Sequence, residues 1–212
     1  MDSLQKQLLP NRDAFGSDPF GYSALAWHKW GMAQTIAGFP VDISKPPTSD
    51  DLKSPVLWLT QAHAMAEAAR IVIQNQPDLK HLPVSVSGVC DCQYCAVALM
   101  LVGYSLEICL KAMLIIKKGI DVYVSEEMKH RHHQLEKLSD FIPDLNTKDK
   151  VILKILTHFV TWAGRYPDPG SGREDDAEEI FSLSEKYKIS ANELFKLSAR
   201  VMRYSQQVIE NK

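Results

Sequence analysis

The alternation of apolar and polar residues along the chain predicts helices as its main elements. The clearest segment is 96–118, where apolar residues recur at helical spacing and Gly119 stands where a helix would end. The stripe in this segment consists of Leu99, Val102, Leu106, Cys109 and Met113. A second helix is predicted from Ser54 as N-cap and Pro55 in the first turn up to about Gln74.

Weaker patterns predict the remaining elements. We expect helices over 20–37, 130–141 and 177–187, one helix capped by Asn146 or Thr147, and a last helix opened by the Ser190–Glu193 capping box. Residues 77–95 are mixed, and Val84, Val86 and Val89 alternate as in a strand, which indicates a long loop with a short extended piece. The fold class is therefore all-α, an up-and-down helical bundle of about four or five core helices plus an N-terminal helical arm.

Three prolines between residues 38 and 53 indicate a linker. It divides the chain into an N-terminal helical arm with a Pro-rich linker, 1–53, and a helical bundle, 54–212. The arm carries Trp27 and Trp30 on one side of its predicted helix. We expect it to cap the bundle, to reach across a dimer or to bind a protein partner.

Charge and cysteine content limit the expected binding partners and cellular location. The formal net charge is −2, so no strong global field attracts nucleic acid or an anionic membrane. Three of the four cysteines lie within six residues, which is a poor disulfide framework, and no secretory signal is recognisable. The expected location is the cytoplasm. Residues 96–116 are apolar enough for a membrane span, but Glu107 and Lys111 near the middle favour a buried bundle helix and no membrane.

Glu107 and Lys111 are the first candidate site residues. They are four apart and share one face of the most apolar helix, where charges need partners. A structural ion pair is one interpretation, and a polar site at the centre of the bundle is the other.

The run Lys129-His130-Arg131-His132-His133 is the second candidate. Histidines beside basic residues can transfer protons, bind phosphate or bind metal. On a continuous helix His130 and His133 would share a face. The alternative is a solvated basic helix start.

The third candidate is the Arg165-Tyr166-Pro167 segment, where a helix ends and a polar loop begins. Arg165 can hold a phosphate and Tyr166 can stack on a base. Alternatively, Arg165 satisfies the last carbonyls of its own helix.

The fourth candidate is the cluster Cys90, Cys92 and Cys95. Such thiol density suits zinc, but the spacing is not a common zinc signature, and free thiols or a redox-active pair are the alternatives. The chain has no Walker A loop, no dinucleotide-binding glycine pattern and no H-E-x-x-H, so no cofactor is predicted.

Three segments together resemble the HEPN (higher eukaryotes and prokaryotes nucleotide-binding) helical-bundle family. Residues 103–114, with Glu107 and Lys111, are similar to its second core helix. His133-Gln134-Leu135 is similar to the His-x-Leu segment that follows, and Arg165-Tyr166-Pro167 to an ending found after a later helix. The similarity covers residues 57–167, roughly half of the chain.

The resemblance implies an RNA-binding protein or a metal-independent ribonuclease, a homodimer, and a role in toxin–antitoxin or phage-defence systems. Active members carry an arginine followed four to six residues later by a histidine, and neither Arg165 nor Arg173 has such a partner. The hypothesis is instead a catalytic site assembled in space from the side chains of four residues, with three more binding nucleic acid. The catalytic set is His133, Arg165, Glu107 and Lys111, and the nucleic-acid-binding set is Arg131, Tyr166 and Lys129. The alternatives are a non-catalytic HEPN-like assembly module and a small zinc-binding helical protein.

Overall fold

The structure, a computed structural model, describes residues 3–212 and is all-α over that range. No strand is present between residues 3 and 212, so the helical fold class is confirmed, whereas the extended piece predicted near Val84 is wrong. The chain divides into two units, 1–57 and 58–212, and the first two residues of the predicted arm lie outside the described residues. The assignment of these parts as an arm and a HEPN-like bundle stays a prediction.

The N-terminal unit contains short helices. They are α1 (Ser3–Leu8), α2 (Arg12–Ser17), α3 (Pro19–Ser23), α4 (Ala26–Ile36) and α5 (Ser49–Leu52). The single helix predicted over 20–37 is interrupted between α3 and α4. In α4 Trp27 is buried and stacks on Trp30, with ring centroids 5.1 Å apart.

The second unit is organised around one long helix. Its helices are α6 (Pro55–Gln74), α7 (Val84–Lys118), α8 (Ile120–Ser125), α9 (Glu127–His130), α10 (Leu135–Leu138), α11 (Thr147–His158), α12 (Asp175–Tyr187) and α13 (Ala191–Glu210), with a π-helical turn over Phe159–Ala163. The cap predictions at Asn146 and Ser190 are confirmed, since each side chain accepts a bond from the third backbone N–H of its helix. Gly119, at φ +82°, ends α7.

Two boundaries differ from the sequence expectation. Residues 84–95 are not a loop, because α7 begins at Val84 and continues without a break to Lys118. A continuous helix over 130–141 is also wrong, since residues 131–134 are irregular between α9 and α10. The histidine run therefore lies across the end of one short helix and an irregular connection.

The core forms around the C-terminal half of α7. Leu106, Leu110 and Met113 are at most 1% exposed and pack with side chains from α10, α11 and α13. Gly103 permits a close approach to α11 and the π turn, because a Cβ at this position would lie 2.4 Å from Val160 Cγ2. Because this contact fixes the rotation of α7 about its own axis, it also fixes the direction in which Tyr104, Glu107 and Lys111 point.

One described helix, α7, is long and apolar enough to cross a membrane by length and composition. Of its most apolar window, 67% is buried inside the protein. The core helix of a soluble bundle has the same properties.

Candidate functional site

The candidate site lies where the irregular segment 131–134 meets one face of α7. Tyr104, Glu107 and Lys111 are three, then four residues apart, so they share that face. The segment is anchored just after His133, because Leu135 is fully buried and its N–H donates to Thr157 Oγ1 of α11 at 3.1 Å. This anchor brings His133 to the carboxylate of Glu107.

Glu107 binds two partners at once. Lys111 Nζ donates to Oε1 at 2.8 Å, and His133 Nδ1 lies 2.9 Å from Oε2. The Glu107 side chain is 6% exposed and that of Lys111 13%, whereas that of His133 is 46% exposed. A buried carboxylate needs such partners, since an unpaired buried charge is costly. In this group of three side chains Glu107 and Lys111 are therefore shielded from solvent, whereas the His133 imidazole is accessible to solvent.

The geometry assigns the proton on the His133 ring. An ionised carboxylate only accepts hydrogen bonds, so His133 Nδ1 carries the hydrogen that is donated to Glu107. In the neutral ring the other nitrogen, Nε2, then has a free lone pair, and it has no hydrogen-bond partner among the described residues. The Tyr104 ring lies edge-on to His133 at 6.1 Å, and its hydroxyl donates to the Val160 carbonyl at 3.3 Å.

A carboxylate that orients an imidazole is a recurring arrangement for proton transfer. The carboxylate selects the tautomer and stabilises the imidazolium that forms when the second nitrogen accepts a proton. Here Glu107 is the orienting group and His133 the group that reaches solvent. Lys111 donates to the other oxygen of the same carboxylate.

His130 belongs to a neighbouring cluster and not to this pair. Its ring stacks on Tyr123 with centroids 5.5 Å apart, and its Nε2 accepts from Lys118 Nζ at 3.1 Å. Burial, followed by the charge of Lys118, lowers the pKa of His130. The bonds that Lys118 and Lys129 donate to Glu126 lower the pKa of this carboxyl to about 2.

His132 lies close to a different pair of cations. Burial lowers its pKa first, and the charges of Lys111 and Lys137 lower it further. Its Nδ1 accepts from the Gln134 N–H at 3.1 Å. The three histidines of the 129–133 run therefore have three different environments, and only His133 bonds a carboxylate that is itself buried.

The predicted catalytic set comes together in part. Glu107, Lys111 and His133 are in direct contact. Among the described residues no hydrogen bond or ion pair joins Arg165 to these three: its guanidinium donates to the Thr161 carbonyl and lies 5.4 Å from the Tyr166 ring centroid. Gly164, the residue before Arg165, packs against Met100 of α7. Met100 lies about two helical turns before Glu107. Arg165 thus bonds the carbonyl of a residue at the end of its own helix, as the structural alternative expected.

The predicted nucleic-acid-binding residues are all exposed. Lys129 pairs with Glu126 at 2.9 Å. Arg131 has no hydrogen bond or ion pair with any residue of the described range, and Tyr166 is 59% exposed. Arg131, two residues before His133, is the cation nearest in sequence to the open imidazole.

The cysteine cluster is divided by the helix that carries it. Cys92 and Cys95 are exposed, whereas Cys90 is half-buried on another side of α7. Within residues 3–212 no three His, Cys, Asp or Glu side chains are grouped so that they could hold a metal ion. The zinc-binding alternative therefore gains no support from the geometry.

A second histidine with a carboxylate partner was not singled out in the sequence. Trp162 Nε1 donates to His158 Nδ1 at 3.3 Å, so His158 Nε2 carries the hydrogen donated to Glu179 Oε2 at 2.9 Å. Lys154 also donates to Glu179 and, with His158, lowers the pKa of this carboxyl. Both ring nitrogens of His158 are occupied, which indicates a structural role in holding α12 on α11. The i,i+4 spacing of His158 and Trp162 was its only sequence signal.

Fold and geometry together define an all-α protein with a carboxylate-oriented, solvent-accessible histidine at the central helix of its bundle. Comparison of the chain with family models, with curated proteins and with solved structures finds no match.

Proposed function

We propose that this chain is a HEPN-like RNA-binding protein with metal-independent ribonuclease activity, centred on His133. The observation that carries the proposal is the 2.9 Å contact between His133 Nδ1 and the buried Glu107 carboxylate, on a ring that stays 46% exposed. The resemblance to HEPN proteins supplies RNA as the substrate class.

The chemistry needs one base and one cation. In metal-independent RNA cleavage a base removes the proton of a ribose 2′-hydroxyl, whose oxygen attacks the adjacent phosphorus while the 5′-oxygen leaves. His133 Nε2 is the base in this scheme, and Glu107 stabilises the imidazolium that results. The proton that His133 gains then passes to the leaving oxygen or to water.

Arg131 is the better candidate for holding the phosphate. A guanidinium binds phosphate oxygens in pairs, and that of Arg131 is exposed and uncommitted within the described residues. The guanidinium of Arg165 is bonded to the last turn of its own helix, so we assign Arg165 to RNA binding and not to catalysis. The neighbouring Tyr166 offers an exposed ring on which a base can stack.

The test is cleavage of a panel of single-stranded and hairpin RNAs by purified protein, with and without EDTA. Variants His133→Ala and Arg131→Ala are compared with the matched control His81→Ala, which removes another exposed histidine outside the site. We expect cleavage that survives EDTA, falls by about 10²-fold or more in His133→Ala, and is unchanged in His81→Ala. Equal activity in wild type and His133→Ala would reject the proposed base.

The alternative is a non-catalytic HEPN-like module for assembly or regulation. Two observations favour it: the Glu107–Lys111 pair is closed and buried, and α7 exposes Val84 and Val89, which are 90% and 57% exposed. A well-folded wild type that cleaves no RNA of the panel and forms a homodimer in solution would favour this function. Homodimer formation, a cytoplasmic location and a role in defence or toxin–antitoxin systems follow from the resemblance and stay predictions.

A further inference from the structure

The N-terminal half of α7 places two of the clustered cysteines side by side. Cys92 and Cys95 are three residues apart, which on a helix puts them about 60° apart around the axis with Cα atoms about 5 Å apart. Cys90 lies about 140° or more from either. Both members of the pair are exposed.

These positions suit a disulfide better than any other combination of the four thiols. Bridged cysteines have Cα atoms about 4.4–6.8 Å apart, which the pair satisfies, and Cβ atoms about 3.8 Å apart. Helical Cβ atoms at this spacing are about 5–6 Å apart, so α7 must distort locally for the bridge to form. Cys109 is enclosed in the core, 1% exposed, where burial raises the pKa of its thiol to about 11.

The helix can accommodate that distortion where the pair stands. The first buried residue of α7 is Ala98, so every residue from Val84 to Val97 is at least partly exposed. Little packed core has to move when this half of the helix bends. The same change in the half that contains Leu106 and Leu110 would disrupt the core.

We infer that Cys92 and Cys95 form a reversible redox-modification site, oxidised to an intrahelical disulfide by exchange with a low-molecular-weight disulfide such as oxidised glutathione. The thiolate of one cysteine attacks a glutathione sulfur; the glutathione S–S bond breaks, one glutathione leaves, and a mixed disulfide forms. The second thiolate then attacks the protein sulfur of this mixed disulfide and releases the second glutathione. Two protein thiols are oxidised, one glutathione disulfide is reduced to two thiols, and the two protons pass from protein to glutathione. This inference is independent of the proposed ribonuclease activity.

The test is the intact mass of the folded full-length chain after incubation with oxidised glutathione, followed by reduction. Wild type and Cys90→Ser are expected to lose two hydrogen atoms, to retain no glutathione and to recover their mass on reduction. Cys92→Ser and Cys95→Ser, each with one thiol of the pair, are expected to retain one glutathione on the remaining cysteine.

Other outcomes overturn the inference. Wild type that keeps glutathione on both cysteines, or that keeps all its thiols reduced, shows that the pair cannot close. An internal disulfide that persists in Cys92→Ser, or bridges between chains in wild type, shows that other thiols pair instead.

Discussion

The two halves of α7 differ although they belong to one uninterrupted helix. Between Ala98 and Ile116 most side chains are buried, and this half carries Glu107 and Lys111. Between Val84 and Val97 the same helix is largely exposed and carries the paired cysteines. The N-terminal half mixes valines and cysteines with small polar residues, whereas the C-terminal half is almost continuously apolar. The halves also differ in whether α10, α11 and α13 cover the helix.

The largest expected contrast is in packing. Leu110→Ala removes a fully buried side chain and should lower the free energy of unfolding by about 2–5 kcal/mol. Val89→Ala, on the same helix, removes a side chain that is 57% exposed and should change it by about 0.5 kcal/mol or less. Urea unfolding of both variants measures the difference, and equal losses would show that the N-terminal half is covered too.

The next contrast concerns buried and exposed carboxylates. Glu107→Gln removes the charge that Lys111 and His133 share, and should lower the free energy of unfolding by about 1.5–3 kcal/mol. The control Glu67→Gln breaks an exposed pair with Arg70 on α6 and should have little effect. Chemical denaturation of the two variants makes the comparison. Similar stabilities would mean that the Glu107 pair is solvated.

Two glycines of α7 should respond with opposite signs to the same substitution. Gly103→Ala places a Cβ 2.4 Å from Val160 Cγ2 and should destabilise the protein by about 1–3 kcal/mol. Gly88→Ala meets no atom within 4 Å and should stabilise the helix by about 0.5–1 kcal/mol. Melting temperatures that move in the same direction for both would contradict the contrast between the halves.

The smallest expected effect is on the pH dependence of stability, and it arises at the C-terminal end of α7. There Lys118 pairs with Glu126 at 2.5 Å. The pKa of Glu126 is lowered from 4.5 to about 2 by the bonds from Lys118 and Lys129. A lowered pKa in the folded state means that the stabilisation is complete above pH 4.5 and is lost as the pH falls from 4.5 to 2. Glu126→Gln should therefore flatten the fall in unfolding free energy across this window, whereas Glu210→Gln at the end of α13 provides the control. An unchanged slope in Glu126→Gln would rule out this contribution.

Much of the fold could be predicted from sequence because its signals are local. Caps at Asn146 and Ser190, Pro55 in a first turn and Gly119 after the last turn depend on neighbouring residues only. The prediction for residues 84–95 was wrong because alternating valines and small polar residues are typical of a strand. These residues are helical because the strongly helical segment that follows extends into them.

The candidate site was predictable only in part. Glu107 and Lys111 are four apart on one helix, so their contact follows from spacing. His133 reaches Glu107 from an irregular segment, a long-range contact that depends on how Leu135 is anchored. Arg165 bonds the Thr161 carbonyl of its own helix end, and helical periodicity does not specify which of several possible partners an exposed arginine takes.

In the proposed function His133, oriented by Glu107, removes a proton from a ribose 2′-hydroxyl. The most direct measurement is the cleavage rate of a DNA oligonucleotide carrying one ribonucleotide, against its all-deoxy counterpart, by wild type and His133→Ala. We expect wild type to cleave at the single ribonucleotide and not in the all-deoxy strand, and the cleavage rate to fall by about 10²-fold or more in the variant. Cleavage of both strands, or of the ribonucleotide strand equally by both proteins, would contradict the proposal.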